Sequence, residues 1–280
     1  MTAAARLREA MAEERPLQVV GAINAYAAKL AERAGFRALY LSGAGVANHS
    51  LGLPDLGIIH LGDVVTDASR IAAATELPLL VDIDTGWGHA FTIGRAVREL
   101  ERAGVAAVQI EDQAGAKRCG HRPGKELVET GEMVDRVRAA VQARHDLLVV
   151  ARTDSLTTDD AVERSRAYAD AGADVIFAEA LRTLEDYRRV TEAVDVPVLA
   201  NITEFGVTPL FTRDELGEAG VAIVLYPLSA SRAAARASQL VYETIRNEGS
   251  QRAVLPQMQT RDELYEVLDY LRFERALDEL

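Results

Sequence analysis

The sequence predicts one α/β domain with a (β/α)₈ barrel fold, and three observations lead to this prediction. The chain has 280 residues, close to the roughly 250 that eight βα units need as one domain. Eight short apolar segments alternate with amphipathic segments of helical periodicity. An open doubly wound sheet often has a glycine-rich turn after its first strand, and no G-x-G-x-x-G follows the first segment here, so a closed barrel is favoured.

The predicted strands are short and continuously apolar, as expected for parallel strands that are covered on both faces. Four of them follow an Ala-Gly pair. Glycine tolerates the left-handed conformation just after a helix, so each pair marks the end of the preceding helix. These four are Ala38–Ser42, Ala106–Glu111, Asp174–Glu179 and Ala222–Tyr226. Two begin with proline, which fits at the first residue of a strand, namely Pro78–Asp84 and Pro197–Thr203. The remaining two are Gln18–Ala25 and Leu147–Asp154.

Amphipathic helices are predicted between these strands. Clear examples, with Ala, Val or Leu on one face and Arg or Glu on the other, are Ile93–Arg102, Met133–Ala143 and Ala161–Ala169. Acidic residues after a threonine or glycine predict helix starts at Thr130 or Gly131, at Thr158 and at Thr212. A charged amphipathic helix is also expected within Met1–Pro16.

Two further helical stretches follow the eighth predicted strand, Ser231–Glu248 and Arg261–Leu280. A minimal barrel does not need them. Because no low-complexity linker divides the chain, we predict a single domain over 1–280 with a C-terminal helical arm at about 231–280. The arm either packs over its own barrel or reaches a neighbouring subunit.

Composition excludes several classes of protein. The formal net charge of −12 predicts a surface that repels nucleic acid and anionic membranes. The first residues lack the apolar core of a signal peptide, and no apolar run approaches the ~18 residues of a membrane span. Cys119 is the single cysteine, which excludes an intramolecular disulfide and a cysteine-rich zinc site. We therefore expect a soluble, cytoplasmic protein.

Polar side chains stand at the carboxyl ends of the predicted strands, where barrel enzymes build their active sites. They are Asn24, Ser42, Asp82, Asp84, Glu111, Asp112, Arg152, Asp154, Glu179, Asn201, Thr203 and Glu204. One polar strand end carries no information, because loops are solvated. A series of such ends that combines carboxylates with arginine favours an active site.

Asp82 and Asp84 are two carboxylates at positions i and i+2, which places them on one face of a strand. Their mutual repulsion would raise the pKa of one of them, and a divalent cation removes that conflict. Oxygen ligands without a nearby Cys or His cluster favour Mg²⁺ or Mn²⁺ over Zn²⁺, with Glu111 and Asp112 able to extend the site through water. A solvated acidic strand end is the alternative.

The segment Lys117–Lys125 is the most unusual part of the sequence. It holds four Lys or Arg side chains and one His within nine residues of an acidic protein, together with the cysteine. Because it follows the fourth strand, we expect it to lie over the mouth of the barrel. Cationic surroundings favour a reactive thiol, so Cys119 is a candidate nucleophile or proton donor, and His121 a candidate orienting group. A basic surface loop with an incidental cysteine is the alternative.

Motifs along nearly the whole chain resemble those of the isocitrate lyase and phosphoenolpyruvate mutase superfamily. In chain order they are Tyr40-Leu41-Ser42-Gly43, Leu51-Gly52-Leu53-Pro54-Asp55, Asp82-x-Asp84-x-Gly86-x-Gly88, Ile110-Glu111-Asp112-Gln113, Lys117-Arg118-Cys119-Gly120-His121-Arg122-Pro123, Ala151-Arg152-Thr153-Asp154, Ala200-Asn201-Ile202-Thr203-Glu204-Phe205, Leu225-Tyr226-Pro227-Leu228-Ser229 and Met258-Gln259-Thr260-Arg261. The stretch around Cys119 resembles the carbon–carbon lyase branch, because the mutase and hydrolase branches lack this cysteine.

The resemblance implies a Mg²⁺-dependent lyase that acts on a small tricarboxylate with a 2-hydroxyl group. Because the isocitrate lyases of this family are considerably longer, the resemblance favours cleavage of 2-methylisocitrate to pyruvate and succinate, with isocitrate or a dimethylmalate-like acid as alternative substrates. The residues alone leave two other functional classes possible. They are a Schiff-base aldolase acting through Lys117 and a non-catalytic binding protein. The family further implies barrels that exchange a C-terminal helix between subunits, usually in homotetramers.

The resemblance also implies roles for individual residues. Asp82 and Asp84 would hold Mg²⁺, largely through waters, with Asp55 and Glu111 nearby. Cys119 and Gly120 would come down with a mobile loop. For the mechanism, our own hypothesis is that Cys119 is the catalytic acid and Tyr40 the candidate base, that Lys117 offsets substrate charge and that His121 is an orienting group. Substrate contacts are implied for Ser42, Gly43, Ala44, Gly120, Arg152, Glu179, Asn201, Thr203, Arg232 and Arg261. The family often has glycine at the position of Ala44, where an alanine with positive φ would be strained.

Overall fold

The computed structural model describes residues 1–115 and 117–279. Within these residues, eight parallel strands pair in sequential order and close into a barrel, because the first strand also pairs with the last. The strands are β1 Leu17–Gly21, β2 Ala38–Leu41, β3 Leu79–Asp82, β4 Ala107–Glu111, β5 Leu148–Thr153, β6 Val175–Ala178, β7 Val198–Asn201 and β8 Ile223–Tyr226. The predicted (β/α)₈ fold is confirmed.

Helices alternate with the strands and continue beyond them. They are α1 Ala3–Glu13, α2 Ala25–Arg33, α3 Gly43–Gly45, α4 Leu61–Ala72, α5 Ala90–Arg102, α6 Thr130–Ala143, α7 Thr158–Asp170, α8 Leu184–Thr191, α9 Arg213–Glu218, α10 Ser229–Glu248, α11 Arg261–Leu268 and α12 Tyr270–Asp278. A π-helical turn, Val46–Ser50, follows α3, and a 3₁₀ turn, Arg252–Gln257, precedes α11. No helix in the described part of the chain has the length and apolar character to span a membrane.

All eight strands are shorter than predicted, and two of these differences affect the candidate site. β1 ends at Gly21 instead of Ala25, because Asn24 caps α2 by accepting a hydrogen bond from the Ala27 backbone at 2.9 Å. β3 ends at Asp82, and Asp84 lies beyond it with a left-handed φ of 50°. The expectation that both aspartates share one strand face is therefore wrong.

Helix starts follow the predicted chemistry with small shifts. Thr212 caps α9 in a reciprocal pair with Glu215, as the sequence predicts. The cap of α7 is Thr157 rather than Thr158. α6 begins at Thr130, and the preceding Glu129 makes no capping hydrogen bond through its side chain. In each case the acidic residues lie in the first helical turn, where the helix dipole stabilises them.

The apolar core has two layers. One fills the barrel interior with inward side chains such as Tyr40, Val150 and Phe177, and α1 joins it through Leu7. The second packs the outer faces of the strands against the surrounding helices. α1 packs with residues at the starts of the strands, such as Leu17 and Leu148, and the cavity described below opens at their carboxyl ends.

The C-terminal arm starts directly after β8. Most of α10 is exposed, whereas α11 returns to α2, where Tyr26 donates to Gln259 at 2.6 Å and Arg33 pairs with Glu266 at 3.1 Å. The predicted single helix Arg261–Leu280 is two helices, because Asp269 adopts a left-handed φ of 53° between α11 and α12. Leu280 lies outside the described residues.

Candidate active site

A cavity of about 510 Å³ opens at the carboxyl ends of the strands. Its walls come from β2, β3 and β5–β8, and the segment Lys117–Pro123 covers it. The structure brings nearly all of the predicted site residues to this cavity. Of the residues with a predicted role, those that do not line it are Gly43, Asp84, Glu111 and Arg261. Of the other polar strand-end residues, Asn24, Asp112 and Asp154 do not line it either.

The backbone of Gly43 lies close to both aspartates, of which Asp82 lines the cavity and Asp84 does not. Its backbone N–H donates to Asp82 Oδ2 at 3.1 Å, and the Asp84 N–H donates to Asp82 Oδ1 at 3.0 Å. A Cβ on Gly43 would lie 2.9 Å from Asp84 Oδ1, so a side chain there would collide with the carboxylate. The neighbouring Ala44 lies in α3 with right-handed backbone, so alanine is accommodated at this position.

Lys117 neutralises part of this acidic cluster. Its ammonium lies 2.6 Å from Asp55 Oδ1 and 2.7 Å from Asp84 Oδ1, and only 5% of its side chain is exposed. Burial alone would lower the pKa of Lys117, but the surrounding carboxylates, Glu111 first, raise it above its ordinary value. A Schiff base needs a neutral amine, so this environment does not favour the aldolase alternative.

The remaining carboxylate oxygens fit a hydrated divalent cation. Neither oxygen of Glu111 has a hydrogen-bond partner among the described residues, nor does Asp84 Oδ2. Burial, and then the charge of Asp82, raise the pKa of Asp84 to about 6. Over residues 1–115 and 117–279, no three His, Cys, Asp or Glu side chains converge closely enough to enclose an ion by themselves. This arrangement suits Mg²⁺, which keeps several waters when it binds.

Arg152 and Glu179 form the charged floor of the cavity. Arg152 makes two hydrogen bonds to Asp154, at 2.8 and 3.0 Å, and its Nη2 lies 3.3 Å from Glu179 Oε2. Burial would raise the pKa of Glu179, but Arg152 and His121 outweigh it and lower that pKa to about 2. Asn201 donates to both Glu179 oxygens at 3.3 and 3.2 Å. The guanidinium of Arg152 is thus held in a fixed position at the floor of the cavity.

The loop that carries Cys119 lies down over this floor. Cys119 is half-buried and faces the cavity. A Cβ on Gly120 would lie 2.4 Å from Arg152 Nη2, which shows how closely the loop approaches. His121 Nδ1 accepts from the Val207 N–H at 3.2 Å, so a neutral ring carries its proton on Nε2, 3.2 Å from Glu179 Oε1.

Tyr40 lies inside the barrel below the cavity. Its hydroxyl donates to Gln109 Oε1 at 2.7 Å, and only 3% of the residue is exposed. Burial, and then the negative charge of Asp82, raise the pKa of Tyr40 well above its ordinary value. The phenol is therefore protonated at neutral pH, a state that does not favour Tyr40 as a base.

Two of the predicted substrate contacts lie at the edge of the site or outside it. Arg232, on α10, is 45% exposed, and its Nε lies 3.5 Å from Glu204 Oε2. Arg261 is the first residue of α11 and is exposed on the arm. The cavity of a single chain is therefore assembled without Arg261.

Several residues of the site carry no role in the sequence-based predictions. Lys125 pairs with Asp154 at 3.1 Å, and the side-chain amide of Gln113 binds the loop backbone. A glutamine between a strand end and a basic loop is a signal from which the role of Gln113 could have been predicted. The apolar part of the wall, by contrast, resembles any other core. It consists of Phe177, Leu225, Pro227 and Leu228.

Comparison with known proteins confirms the resemblance inferred from the motifs. The family model for phosphoenolpyruvate phosphomutase matches residues 7–246. The chain is 57% identical over 279 residues to a 2-methylisocitrate lyase of Salmonella typhimurium, covering 98% of this chain and 95% of that protein. It is 55% identical over 284 residues to a 2-methylisocitrate lyase of Shewanella oneidensis, covering 100% of this chain and 97% of that protein.

Solved structures agree over the full length. A crystal structure of 2,3-dimethylmalate lyase, described as a member of the PEP mutase/isocitrate lyase superfamily, has a TM-score of 0.91 at 38% identity and covers 99% of this chain and 96% of its own. A structure of phosphonopyruvate hydrolase in complex with oxalate and Mg²⁺ has a TM-score of 0.86 at 31% identity, with coverage of 100% and 99%.

Proposed function

The chain belongs to the phosphoenolpyruvate phosphomutase family, and we propose that it is a carbon–carbon lyase that cleaves 2-methylisocitrate to pyruvate and succinate. The observation that carries the proposal is the position of Cys119, half-buried over a cavity whose floor holds Arg152 and Glu179. Two relatives that match nearly the whole chain at 55% and 57% identity bear the name 2-methylisocitrate lyase.

The substrate would carry several negative charges, and the cavity offers fixed positive groups to meet them. Arg152 is buried and already oriented by Asp154, so it can bind a carboxylate without reorganising. The side chains of Ser42, Asn201 and Thr203 line the same cavity as hydrogen-bond partners. Arg232 adds a cation at the exposed edge.

The acidic cluster would hold the divalent cation. Asp82, Asp84 and Glu111, with Asp55 nearby, are the residues that we assign to Mg²⁺, with Mn²⁺ as a substitute. When bound, the cation supplies Lewis-acid stabilisation of negative charge on the substrate hydroxyl oxygen. The relative whose structure is named with oxalate and Mg²⁺ supports the assignment.

The reaction breaks one carbon–carbon bond and moves one proton to carbon. The 2-hydroxyl loses its proton, its oxygen becomes the carbonyl of pyruvate, and the bonding electron pair passes to the carbon that becomes succinate. Cys119 Sγ then donates a proton to that carbon. The raised pKa of Tyr40 stands against the role of base predicted for it, so we assign the removal of the hydroxyl proton to no residue of the site. The loop over the cavity excludes water, so the carbanion meets the intended acid.

The apolar wall offers a place for the methyl group of the substrate. Phe177, Leu225 and Pro227 line one side of the cavity and carry no charge. A single methyl group contributes only ~1–3 kcal/mol of discrimination, so this wall would reduce cleavage of isocitrate without abolishing it.

We further propose that the enzyme is a cytoplasmic homotetramer in which the arm is exchanged between subunits. α10 leaves Tyr242 and Ile245 exposed, and α12 leaves Phe273 and Leu277 exposed. Exchange of the arm would cover these side chains and could bring Arg261 to a neighbouring cavity. A catalytic thiol that must stay reduced also suits a reducing compartment.

The test is a product assay with purified protein, 2-methylisocitrate and Mg²⁺, run beside isocitrate and an EDTA control. The proposal predicts equal amounts of pyruvate and succinate, lost with EDTA, and slower cleavage of isocitrate. Faster release of glyoxylate from isocitrate would move the substrate assignment. Cleavage of neither acid would reject the proposed reaction.

A further inference from the structure

We propose that Gln113 is a positioning residue whose side-chain amide clamps the base of the loop and thereby sets where Cys119 lies over the cavity. The importance of that position rests on the proposed function, since it assumes that Cys119 is the catalytic acid. The clamp itself rests on contacts that do not depend on the reaction.

The loop leaves and re-enters the barrel through a short paired stem. Gln113 bridges Leu127 in antiparallel fashion, and the Ala114 N–H donates to Glu126 O at 2.7 Å. Arg136 donates to the Gln113 carbonyl at 2.9 Å. These contacts fix the backbone of Gln113, so its side chain extends from a rigid anchor.

From that anchor, the amide of Gln113 reaches the residue just before the cysteine. Its Nε2 donates to Arg118 O at 2.8 Å, and its Oε1 accepts from the Arg118 N–H at 2.8 Å. Gln113 is fully buried. The side chain thus pairs with both backbone groups of Arg118 as a neighbouring strand would.

The clamp leaves Cys119 little freedom at either side. Lys117, two residues before it, is held by its pairs with Asp55 and Asp84. Gly120, just after it, lies against the Arg152 guanidinium. Because the backbone is held on both sides, the direction of the Cys119 side chain is set largely by this frame.

The arrangement requires an amide and not merely a buried side chain. Both a donor and an acceptor are needed, and glutamine provides them at one end of a single side chain. Glutamate would place a second acceptor against Arg118 O, and methionine would offer neither bond while keeping a similar volume. In both variants at least one backbone group of Arg118 loses its hydrogen-bond partner.

The test compares Gln113→Met and Gln113→Glu with wild type and with Gln18→Met, a control in β1 whose amide makes one 3.4 Å contact outside the cavity. Because Cys119 is the one cysteine of the chain, its alkylation by iodoacetamide reports the loop position directly. With Mg²⁺ and pyruvate present, we expect both Gln113 variants to be alkylated at least about tenfold faster than wild type. We expect kcat to fall by a similar factor with little change in KM, and Gln18→Met to behave as wild type.

Alkylation and kcat within about twofold of wild type in folded Gln113 variants would overturn the proposal. Amide hydrogen exchange in the wild-type chain keeps the test decisive if the variants fail to fold. The clamp predicts a protected Arg118 N–H, and exchange at the rate of an unstructured peptide would overturn it. Faster alkylation of the variants together with a wild type that cleaves no substrate would retain the clamp and reject the proposed function.

Discussion

Gly120 shows at the residue scale how the loop and the floor of the cavity fit together. A Cβ at this position would lie 2.4 Å from Arg152 Nη2, 2.6 Å from Glu179 Cγ and 2.9 Å from Asp154 Oδ1. All three side chains are buried and tied to one another, so they cannot withdraw easily. A methyl group at Gly120 would therefore collide with these side chains when the loop is closed.

We predict that Gly120→Ala reduces kcat by about 100-fold, because the loop would close with Cys119 displaced by roughly an ångström. The free energy of unfolding should change little, since an open loop removes the clash. Steady-state kinetics and urea unfolding measure the two effects. Gly115→Ala is the matched control, because apart from its chain neighbours no described residue places a heavy atom within 4 Å of its Cβ position. Equal activity of the two variants would contradict the closed-loop geometry.

The ionisation of Glu179 gives a pH-dependent prediction. Its pKa lies near 2 in the folded protein, below the ~4.3 of an unfolded glutamate, so the carboxylate stabilises the fold above the unfolded value. The advantage of wild type over Glu179→Gln in free energy of unfolding should be constant at pH 5–8 and shrink as pH falls from ~4 toward 2. Urea unfolding at a series of pH values measures it. An advantage that grows on acidification would contradict the ion pair with Arg152.

The site residues that could be predicted from the sequence are those whose residue type and position along the chain indicate their chemistry. Carboxylates, Arg152 and Cys119 stand at strand ends or in a basic loop, where charge is unusual. The apolar wall could not be predicted, because Leu225 and Pro227 look like core residues. The conformation of Asp84 was also hidden, since a left-handed aspartate depends on the hydrogen bonds made around it.

At the scale of elements, the periodic apolar pattern located all eight strands, because each must be covered on both faces in a barrel. The errors lie where a side chain ends an element. Asn24 starts α2 earlier than the apolar run indicates, and Asp269 divides the last helix. Such interruptions arise from local hydrogen bonds and left-handed backbone, which hydrophobic periodicity does not record.

The contact between α7 and the end of β4 depends on a buried polar cluster. Tyr168 donates to Asp112 Oδ2 at 2.8 Å, and Asp112 Oδ1 accepts from the Asp154 N–H at 2.9 Å. We predict that Tyr168→Phe lowers the free energy of unfolding by ~1.5–3 kcal/mol, the usual contribution of a hydrogen bond to a charged group. Urea unfolding measures the change. A loss below ~0.5 kcal/mol would mean that Arg164 already satisfies Asp112.

At the scale of the whole molecule, the apolar core lies in the barrel and not in the arm. The two core clusters contain no residue of α11 or α12, whereas Phe273 and Leu277 of α12 are 62% and 71% exposed. A single chain that leaves so much apolar surface on its last helices favours association with further copies.

We predict that the full chain is a tetramer and that removal of residues 261–280 lowers its assembly state while the barrel stays folded. Light scattering coupled to size exclusion gives the mass, and circular dichroism reports the fold. Leu277→Glu, at an exposed position of α12, offers a milder test of the same surface. A full chain that is monomeric at micromolar concentration would contradict the prediction.

The most direct test of the account as a whole is the turnover of Cys119→Ser, measured beside its binding of 2-methylisocitrate by titration calorimetry with Mg²⁺. The variant keeps the size of the side chain and the cavity but replaces the thiol with a much weaker acid. We predict substrate affinity within a few-fold of wild type and a fall of ~10²–10⁴ in the rate of pyruvate release, the range of general acid catalysis. Turnover close to wild type, or lost affinity with unchanged turnover of the bound fraction, would contradict Cys119 as the catalytic acid.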